Sequence, residues 1–568
     1  MSFLVKGEEI MKLDIREIPF SRFGSYFCIS QEKDSDEIYL RDVHGGDDAP
    51  SKLFQFSLLE NGVEIEIDIQ ASETSIRLCS VDDHDKFAEI ILPEEDEVHF
   101  YIKGVEVRLQ ANKVKYDTLH EYQNGMYEYH IYPKELKLML ISLSGDMTVT
   151  APWNVIGNDY IDLRMNDGHF VIESYRTVYR KKEYLPFVDG KAKVKKFYEE
   201  WLSTLLTENV VYRPSVEKAA YITWSSTVHP DGILNEYAMY MSKLWMYNIW
   251  SWDNCFNALQ LGAKYPELAY SQLKIFIDAQ DESGAYPDFV NDKFVSYNCI
   301  KPPIFAYVYD KLMKRNDYFK NQDRLRVVYD STKRVMDYFE SHRTYEGRLP
   351  HYKHGNDSGW DNASLFHQGM PVESPDLASY LIRTYDILAG FAVILGKEGE
   401  AIAFLKKADE LFELLMTRLY DQDGFFGRFG KAAEKVEIRS SLILRLPVLI
   451  GYRLEKDVLE GLVTNLVENF ETKHGLATEM PSSPYYKEDG YWLGPIWASV
   501  TYLFVDSLIN NGYEEAGKRI RDKFLDLTLI GGMAENFDPL NGRGLVDTSF
   551  TWTSSVFLTL LEMKIAEE

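Results

Sequence analysis

The hydrophobic period of this chain changes once, near residue 190, and that change limits what it can fold into. Before it, apolar and polar residues alternate. Val63, Ile65, Ile67 and Ile69 interleave with Glu64, Glu66 and Asp68, the period of two expected of a strand with one buried face. Asn61-Gly62 just ahead of them is a two-residue hairpin signal, and a second pair, Asn124-Gly125, opens MYEYHIY. AEIILP, VHFYIKGVEVRLQ, LKLMLISLS and HFVIESYRTVY have the same strand composition. Short strands at this spacing predict an antiparallel sandwich. From KVKKFYEEWLSTLL onward the period becomes helical. Leu325, Val328, Val335, Met336 and Phe339 fall on one helix face. Ser374 is placed to cap the next long helix and Pro375 suits its first turn, after which Leu377, Leu381, Tyr385 and Leu388 share a face. About twelve helices fit after the change at ordinary lengths and connections.

A chain of 568 residues needs more than one core. The predicted fold class is therefore multidomain α+β, with an N-terminal antiparallel β-sandwich over 1–190 and a helical domain over 191–568. Paired helices with no parallel-strand signal suit a closed ring or a bundle, and spacing does not choose between them. The absence of a short repeat argues against a solenoid.

Composition narrows the partners. The net charge is −27 with no cluster of Lys and Arg, which argues against nucleic acid and against anionic membranes. No run of about 18 apolar residues is visible, so no membrane span is expected. The start, MSFLVKGEEIMKLDI, lacks the apolar core of a signal peptide. Cys28, Cys79, Cys255 and Cys299 are far apart with no CxxC pair, so neither a disulfide framework nor a zinc site is expected, and a cytoplasmic location follows as an expectation. No metal or cofactor motif is found; Asp421-Gln422-Asp423-Gly424 has too few ligands for calcium.

Six segments interrupt the helices with glycine, aromatics and carboxylates: WSWDNCF (250–256), DESGAYPDFV (281–290), NDSGWDNAS (356–364), YWLGPIWASVTYLF (491–504), ENFDPLNGRG (535–544) and FTWTSS (550–555). Loops held by a rigid scaffold carry function. Trp250, Trp252, Trp360, Trp492, Trp497 and Trp552 lie in these segments beside Asp, Glu and Gly, which predicts a polar, aromatic-lined cleft, and a small carbohydrate suits it. Cleaving a glycosidic bond takes two carboxyl groups, one protonated to donate to the leaving oxygen and one ionised to activate water or attack. A ring beside a carboxyl disfavours its charged form, and Asp361 directly follows Trp360.

These residues resemble glycoside hydrolase family 63 and the related trehalases. NDSGWDNAS is similar to the ESGWD motif, WSWDNCF to the WWD loop, IKPPIFAYVYDKL to the KPPLLAWAV helix, YWLGPIW to YWRGPVW, and ENFDPLNGRG with FTWTSS to the terminal E-Y-x-(D/N)-P-x-T-G…FxWT element. The five matches keep chain order from about residue 245 to 558. The resemblance implies an (α/α)6 barrel behind a β-rich domain and inverting hydrolysis of an α-linked glucose or mannose. It implies Asp361 as general acid and Glu535 as general base. Trp252 and Asp253 match the sugar-holding pair, and Trp492, Gly494 and Trp497 the wall of the sugar subsite. Asp288, Lys301, Asp357, Trp360 and Trp552 are expected as further substrate contacts, Asp357 standing where relatives carry Glu. Two cations of the pattern are missing: the Ser-Arg-Trp ending is Ala363, Ser364, Leu365, Phe366 here, and Leu493 replaces Arg. That argues against trehalase activity. Trehalase, α-rhamnosidase and a silent sugar-binding protein remain the rivals, and the presence of both Asp361 and Glu535 speaks against the last.

Overall fold

The computed structural model describes residues 11–123, 125–206 and 210–567. Asn124 of the second hairpin signal, and the first ten residues of the segment read against a signal peptide, lie outside them. The chain divides into two compact units, one of Met1–Glu208, Ala220–Asn248 and Asn291–Phe294, the other of Asn209–Ala219, Ile249–Val290 and Val295–Glu568.

The first unit is built on twelve strands: β1 (Phe27–Gln31), β2 (Ile38–Asp42), β3 (Lys52–Glu60), β4 (Val63–Glu64), β5 (Ile67–Ala71), β6 (Ile76–Ser80), β7 (Phe87–Ile91), β8 (Glu97–Ala111), β9 (Thr118–Gln123), β10 (Met126–Ile131), β11 (Leu136–Thr150) and β12 (Asp162–Tyr175). Hydrogen bonds join them into one antiparallel sheet that branches at β8. One edge of β8 pairs with β12 along its length. The other edge is shared, His99–Lys103 going to β7 and Glu106–Ala111 to β3. Asn61 and Gly62 adopt φ +51° and +79° between the paired Glu60 and Val63, the left-handed geometry a two-residue hairpin requires. The alternating run after it is not the single half-buried strand expected. Val63–Glu64 pairs with β3, Ile67–Ala71 pairs with β6, and Val63 is 68% exposed. The chain passes there from one limb of the branched sheet to the other, so no single partner strand can use the whole alternation. Helix α1 (Phe187–Leu205) begins just before the change of period and packs on β7 and β8 within this unit.

Further helices follow: α2 (Arg213–Ser225), α3 (Asp253–Leu261), α4 (Pro266–Asp278), α5 (Phe305–Arg315), α6 (Gln322–His342), α7 (Pro375–Ile394), α8 (Glu398–Leu419), α9 (Lys456–Phe470), α10 (Ala498–Asn510), α11 (Glu514–Gly531) and α12 (Thr551–Ile565), with a 3-10 segment at Leu442–Arg453. In the second unit six of these elements close a cycle. α3 packs on α5, α5 on α7, α7 on Leu442–Arg453, that segment on α10, α10 on α12, and α12 back on α3. Five partners pack outside them: α4 on α3, α6 on α5, α8 on α7, α9 on Leu442–Arg453 and α11 on α10. Composition explains the division. α10 is buried without a break from Ala498 to Leu508 and α12 from Thr551 to Leu561, as suits helices covered all round. The partner α6 buries one stripe, Leu325, Val328, Val335, Met336 and Phe339 among it, the face predicted. α7 departs from expectation in two ways. It is long and apolar enough to cross a membrane, yet its most apolar window is 72% buried, as in a core helix. Ser374 does occupy its N-cap, but the hydroxyl donates to Asp376 rather than capping the backbone.

Candidate active site

Three small antiparallel sheets of the helical unit carry the acidic segments. The first joins Ile249–Trp250, Phe289–Val290 and Val295–Ser296 and holds Trp252, Asp253 and Asp288 together, with Ser251 N donating to Asp288 O at 2.9 Å. Asp253 opens α3. Burial raises its carboxyl to about 7 against the pull of Lys301, with Asp288 and Asp361 adding to the rise. Burial also raises Asp288, and Lys301 opposes it. Lys301 Nζ lies 3.4 Å from Asp288 Oδ1 and donates to Asn356 O at 2.6 Å. Burial disfavours its charge, but Asp288, Asp361 and Asp253 more than compensate and raise it. One buried cation thus serves three carboxyl groups.

The second sheet pairs His351–Tyr352 with Val372–Glu373, and the loop between them contains GNDSGWDNAS. Gly359 sits at φ +73°, and a Cβ there would lie 2.4 Å from Trp252 Cζ2. A glycine is needed for both reasons. The two acids of the loop part company. Asp357 is buried and fully engaged: Arg343 Nη1 donates to Oδ2 at 2.7 Å, Lys353 N and His354 N donate to the same oxygen at 2.7 and 3.1 Å, and Ile300 N donates to Oδ1 at 3.0 Å. Against the burial that raises it, Arg343 and these amides hold its carboxyl below the usual range. Asp357 is expected at a sugar hydroxyl; in the structure the partners of its oxygens tie the loop to the helical unit. Asp361 is half-buried at the loop's far side, and its charge acts on Asp253, Asp288 and Lys301. Asn362 clamps the loop to the next segment, its Oδ1 accepting from Trp492 N at 2.9 Å and its Nδ2 donating to Gly490 O at 3.0 Å.

The third sheet joins Ile496–Trp497, Asn536–Phe537 and Gly544–Leu545. Glu535 directly precedes its middle strand and is 1% exposed. Oε1 accepts from Tyr491 Oη at 2.8 Å, and Oε2 has no partner among the described residues. Burial raises this carboxyl to about 8, the Tyr491 hydroxyl pulling the other way and Asp547 and Asp253 adding to the rise. Tyr491 is the residue that sequence reasoning missed. Its phenol is pushed far up by burial and by the charges of Glu535, Asp361 and Asp253, so these groups share one electrostatic neighbourhood. The tyrosine was visible as the first letter of YWLGPIW; its hydroxyl's target was not.

The indoles expected as sugar-facing walls pack as a cluster. Trp492 lies flat on Trp497 at 4.0 Å, Trp360 lies 4.9 Å from Trp492, and Trp552 meets Trp497 and Trp252 edge-on at 5.6 and 5.8 Å. All five are at most 2% exposed and pack chiefly on one another. Nε1 of Trp360 and of Trp552 are buried without a partner among the described residues. Gly494, at φ +158°, lets the chain pass Lys487 O, which a Cβ would meet at 2.2 Å. That close approach requires a glycine here.

Residues 246–553 match the family described as the mannosylglycerate hydrolase MGH1-like glycoside hydrolase domain. The chain belongs to this family. It is an enzyme, a glycosidase of glycoside hydrolase family 63. It is 21% identical over 404 residues to mannosylglycerate hydrolase of Rubrobacter radiotolerans, covering 55% of this chain and 90% of that relative. The family 63 mannosylglycerate hydrolase of Thermus thermophilus, solved with glucose, aligns with a TM-score of 0.52 at 18% identity over 60% of this chain and 98% of that one. The same enzyme has been solved with Tris and D-glycerate. A bacterial glucoamylase complexed with acarbose aligns with a TM-score of 0.63 at 10% identity, covering 99% of this chain and 96% of that one. At these identities the structures show a shared fold. This family 63 glycosidase thus combines an antiparallel sheet unit with a helical unit.

Proposed function

We propose that this glycosidase releases α-linked mannose or glucose from a small acidic leaving group of the glycerate kind, with inversion. In this reading the cycle of six packed elements is the inner ring of an (α/α)6 barrel, and the branched sheet folds into the sandwich that precedes it in the chain. The observation that carries the reading is the hydrogen bond from Tyr491 to Glu535, with the charges of Asp361 and Asp253 acting on the same phenol, because it relates the acids of three distant segments to one another. The relatives' names and the glucose and D-glycerate of the Thermus enzyme support the substrate class.

Asp361 donates its proton to the glycosidic oxygen as the bond from the anomeric carbon to that oxygen breaks. Glu535, ionised, takes a proton from the water that attacks the anomeric carbon from the opposite face, and the new bond leaves the sugar as its β anomer. A carboxyl whose proton affinity has been raised by burial is a stronger base once ionised, and about 8 is well placed for work near neutrality. Asp253 and Asp288 hold sugar hydroxyls, and Lys301 opposes the rise in their proton affinity that burial causes. The test is proton NMR during early turnover of mannosylglycerate and glucosylglycerate. The β anomer should appear first; initial α anomer would assign Glu535 as a nucleophile and end this mechanism.

A further inference from the structure

A second polar site lies beside the Asp361 loop, in a cavity of about 650 Å³ that none of Asp253, Asp288, Asp361 or Glu535 lines. Its deepest charge is Arg445, in the Leu442–Arg453 segment and 8% exposed. Nε donates to Asn465 Oδ1 at 2.8 Å, and Nη1 donates to Arg439 O at 2.7 Å and Ser441 O at 3.1 Å. Among the described residues Nη2 has no partner and no carboxylate forms an ion pair with this guanidinium. The neighbouring Arg439 is neutralised by Asp421, with Nη2 2.6 Å from Oδ2. Glu479, which acts on Arg445 through space, is held by Ser364 Oγ at 2.7 Å and Ser483 Oγ at 2.6 Å. The face of Phe470 lies 4.8 Å from the guanidinium carbon, which offsets only part of the loss of water. Burial accordingly lowers Arg445 to about 10. A buried cation without a counterion is a costly arrangement, and here the guanidinium lines a cavity.

The rest of the lining suits an anion's oxygens. Asn465 accepts from Arg445 through Oδ1, and Gln368 accepts from Glu437 N at 2.7 Å through Oε1, so the amide nitrogen of each is left as the donor. Asp423 and Glu437 also line the cavity and oppose any ligand of higher negative charge. We propose that this cavity is a binding site for a small monocarboxylate, whose oxygens pair with Arg445 Nη2 and accept from the amides of Asn465 and Gln368. Two sources carry that chemistry, a free organic acid and the carboxylate of a glycoside's leaving group. Contacts connect the cavity to the loop of Asp361: the Tyr485 ring at the cavity lies 5.3 Å from that of His367, whose Nε2 is 3.2 Å from the carbonyl of Asn362, the residue after Asp361. The site's existence does not depend on the roles proposed for Asp361 and Glu535.

Calorimetric titration of the full chain with D-glycerate, and with glycerol as the uncharged control, tests it. D-Glycerate should bind and glycerol should not. Asn465→Asp keeps the acceptor for Arg445 Nε and supplies a built-in counterion, so it should weaken D-glycerate at least tenfold while the melting temperature holds or rises. Arg445→Met should also abolish binding, but it can unsettle the two carbonyls that Arg445 holds, so the aspartate variant decides. No heat from D-glycerate with the native chain, or equal affinity in Asn465→Asp, overturns the proposal. Kinetics then name the source. A KM raised by Asn465→Asp for mannosylglycerate but not for an uncharged aryl α-mannoside assigns the leaving group. Unchanged KM for both, with D-glycerate binding lost, assigns a free acid at a separate site. Should neither glycoside be turned over, the catalytic proposal fails and the titration still decides this one.

Discussion

Tyr491 donates a 2.8 Å hydrogen bond to Glu535 from a backbone at φ +65°, a left-handed conformation that a bulky residue rarely adopts. The strain is held in place locally: Trp497 Nε1 donates to Tyr491 O at 2.9 Å, and the Tyr491 ring packs 4.9 Å from Trp497. Strained positions of this kind persist where the surroundings over-determine them, and they gather at functional sites. Here the strain aims one hydroxyl at one carboxylate oxygen, while the other oxygen of Glu535 is buried without a partner among the described residues.

That bond sets a pH dependence. The proposed mechanism runs with one proton on the pair, carried by Asp361, and none on Glu535. Burial pushes Glu535 up to about 8, and a pair that shares one proton loses it as pH passes that value, so kcat/KM should fall there. Tyr491→Phe removes a donor that favours the carboxylate, so the fall should move to higher pH. A profile that still climbs above pH 8 would overturn this assignment. Stability should fall as well. Between the ordinary value of 4.5 and about 8 the folded state binds a proton that the unfolded state has lost, so folding stability should decline as pH rises across that window. Glu535→Gln should flatten the decline in a series of melts.

In the proposed mechanism Asp361→Asn removes the proton donor while keeping the shape of the side chain. Turnover of mannosylglycerate should drop by roughly 10²–10⁴-fold, the usual worth of general acid catalysis. An aryl α-mannoside with an activated leaving group needs little protonation and should lose far less. Equal losses on both substrates would make Asp361 a binding residue.

Asp357→Asn should act on the fold. Asp357 and Arg343 form a buried ion pair with both side chains at most 6% exposed, and removing one partner of such a pair costs about 3–5 kcal/mol. The melting temperature should fall, while activity per folded molecule should fall less than in Asp361→Asn. Because the folded carboxyl titrates below its ordinary value, its contribution is present above the unfolded pKa and lost as pH drops through the folded one. A variant that keeps its melting temperature but loses turnover would return Asp357 to the chemistry.

Gly359→Ala should be poorly tolerated. It sets a methyl group 2.4 Å from the Trp252 ring at φ +73°, and a non-glycine residue forced into such a region costs about 1–3 kcal/mol before any clash. Thermal melts should show the loss, and KM should rise as Trp252 is pushed beside Asp253. An unchanged melt would show that the turn relaxes.

What the sequence determined by itself is what neighbours along the chain decide. Alternation of period two and then 3.6 separated the strand region from the helical one, because each period follows from local backbone geometry. Asn61-Gly62 made its hairpin because both residues tolerate positive φ. Motif order picked out the segments that carry Asp253, Asp361 and Glu535. What only the tertiary structure decided is who meets whom. The Val63–Ile69 run had a strand's alternation, but the branch at β8 took its two ends to different partners. Asp357 and Asp361 look alike in GNDSGWDNAS, four residues apart, yet Arg343 and three backbone amides consume the first and leave the second to the site. The indoles of YWLGPIW and FTWTSS turned onto one another, and Tyr491 onto Glu535, because α10 packs on α12 and Ile496–Trp497 pairs with Asn536–Phe537. Such packing joins residues remote in the chain, and no local period or turn signal records it.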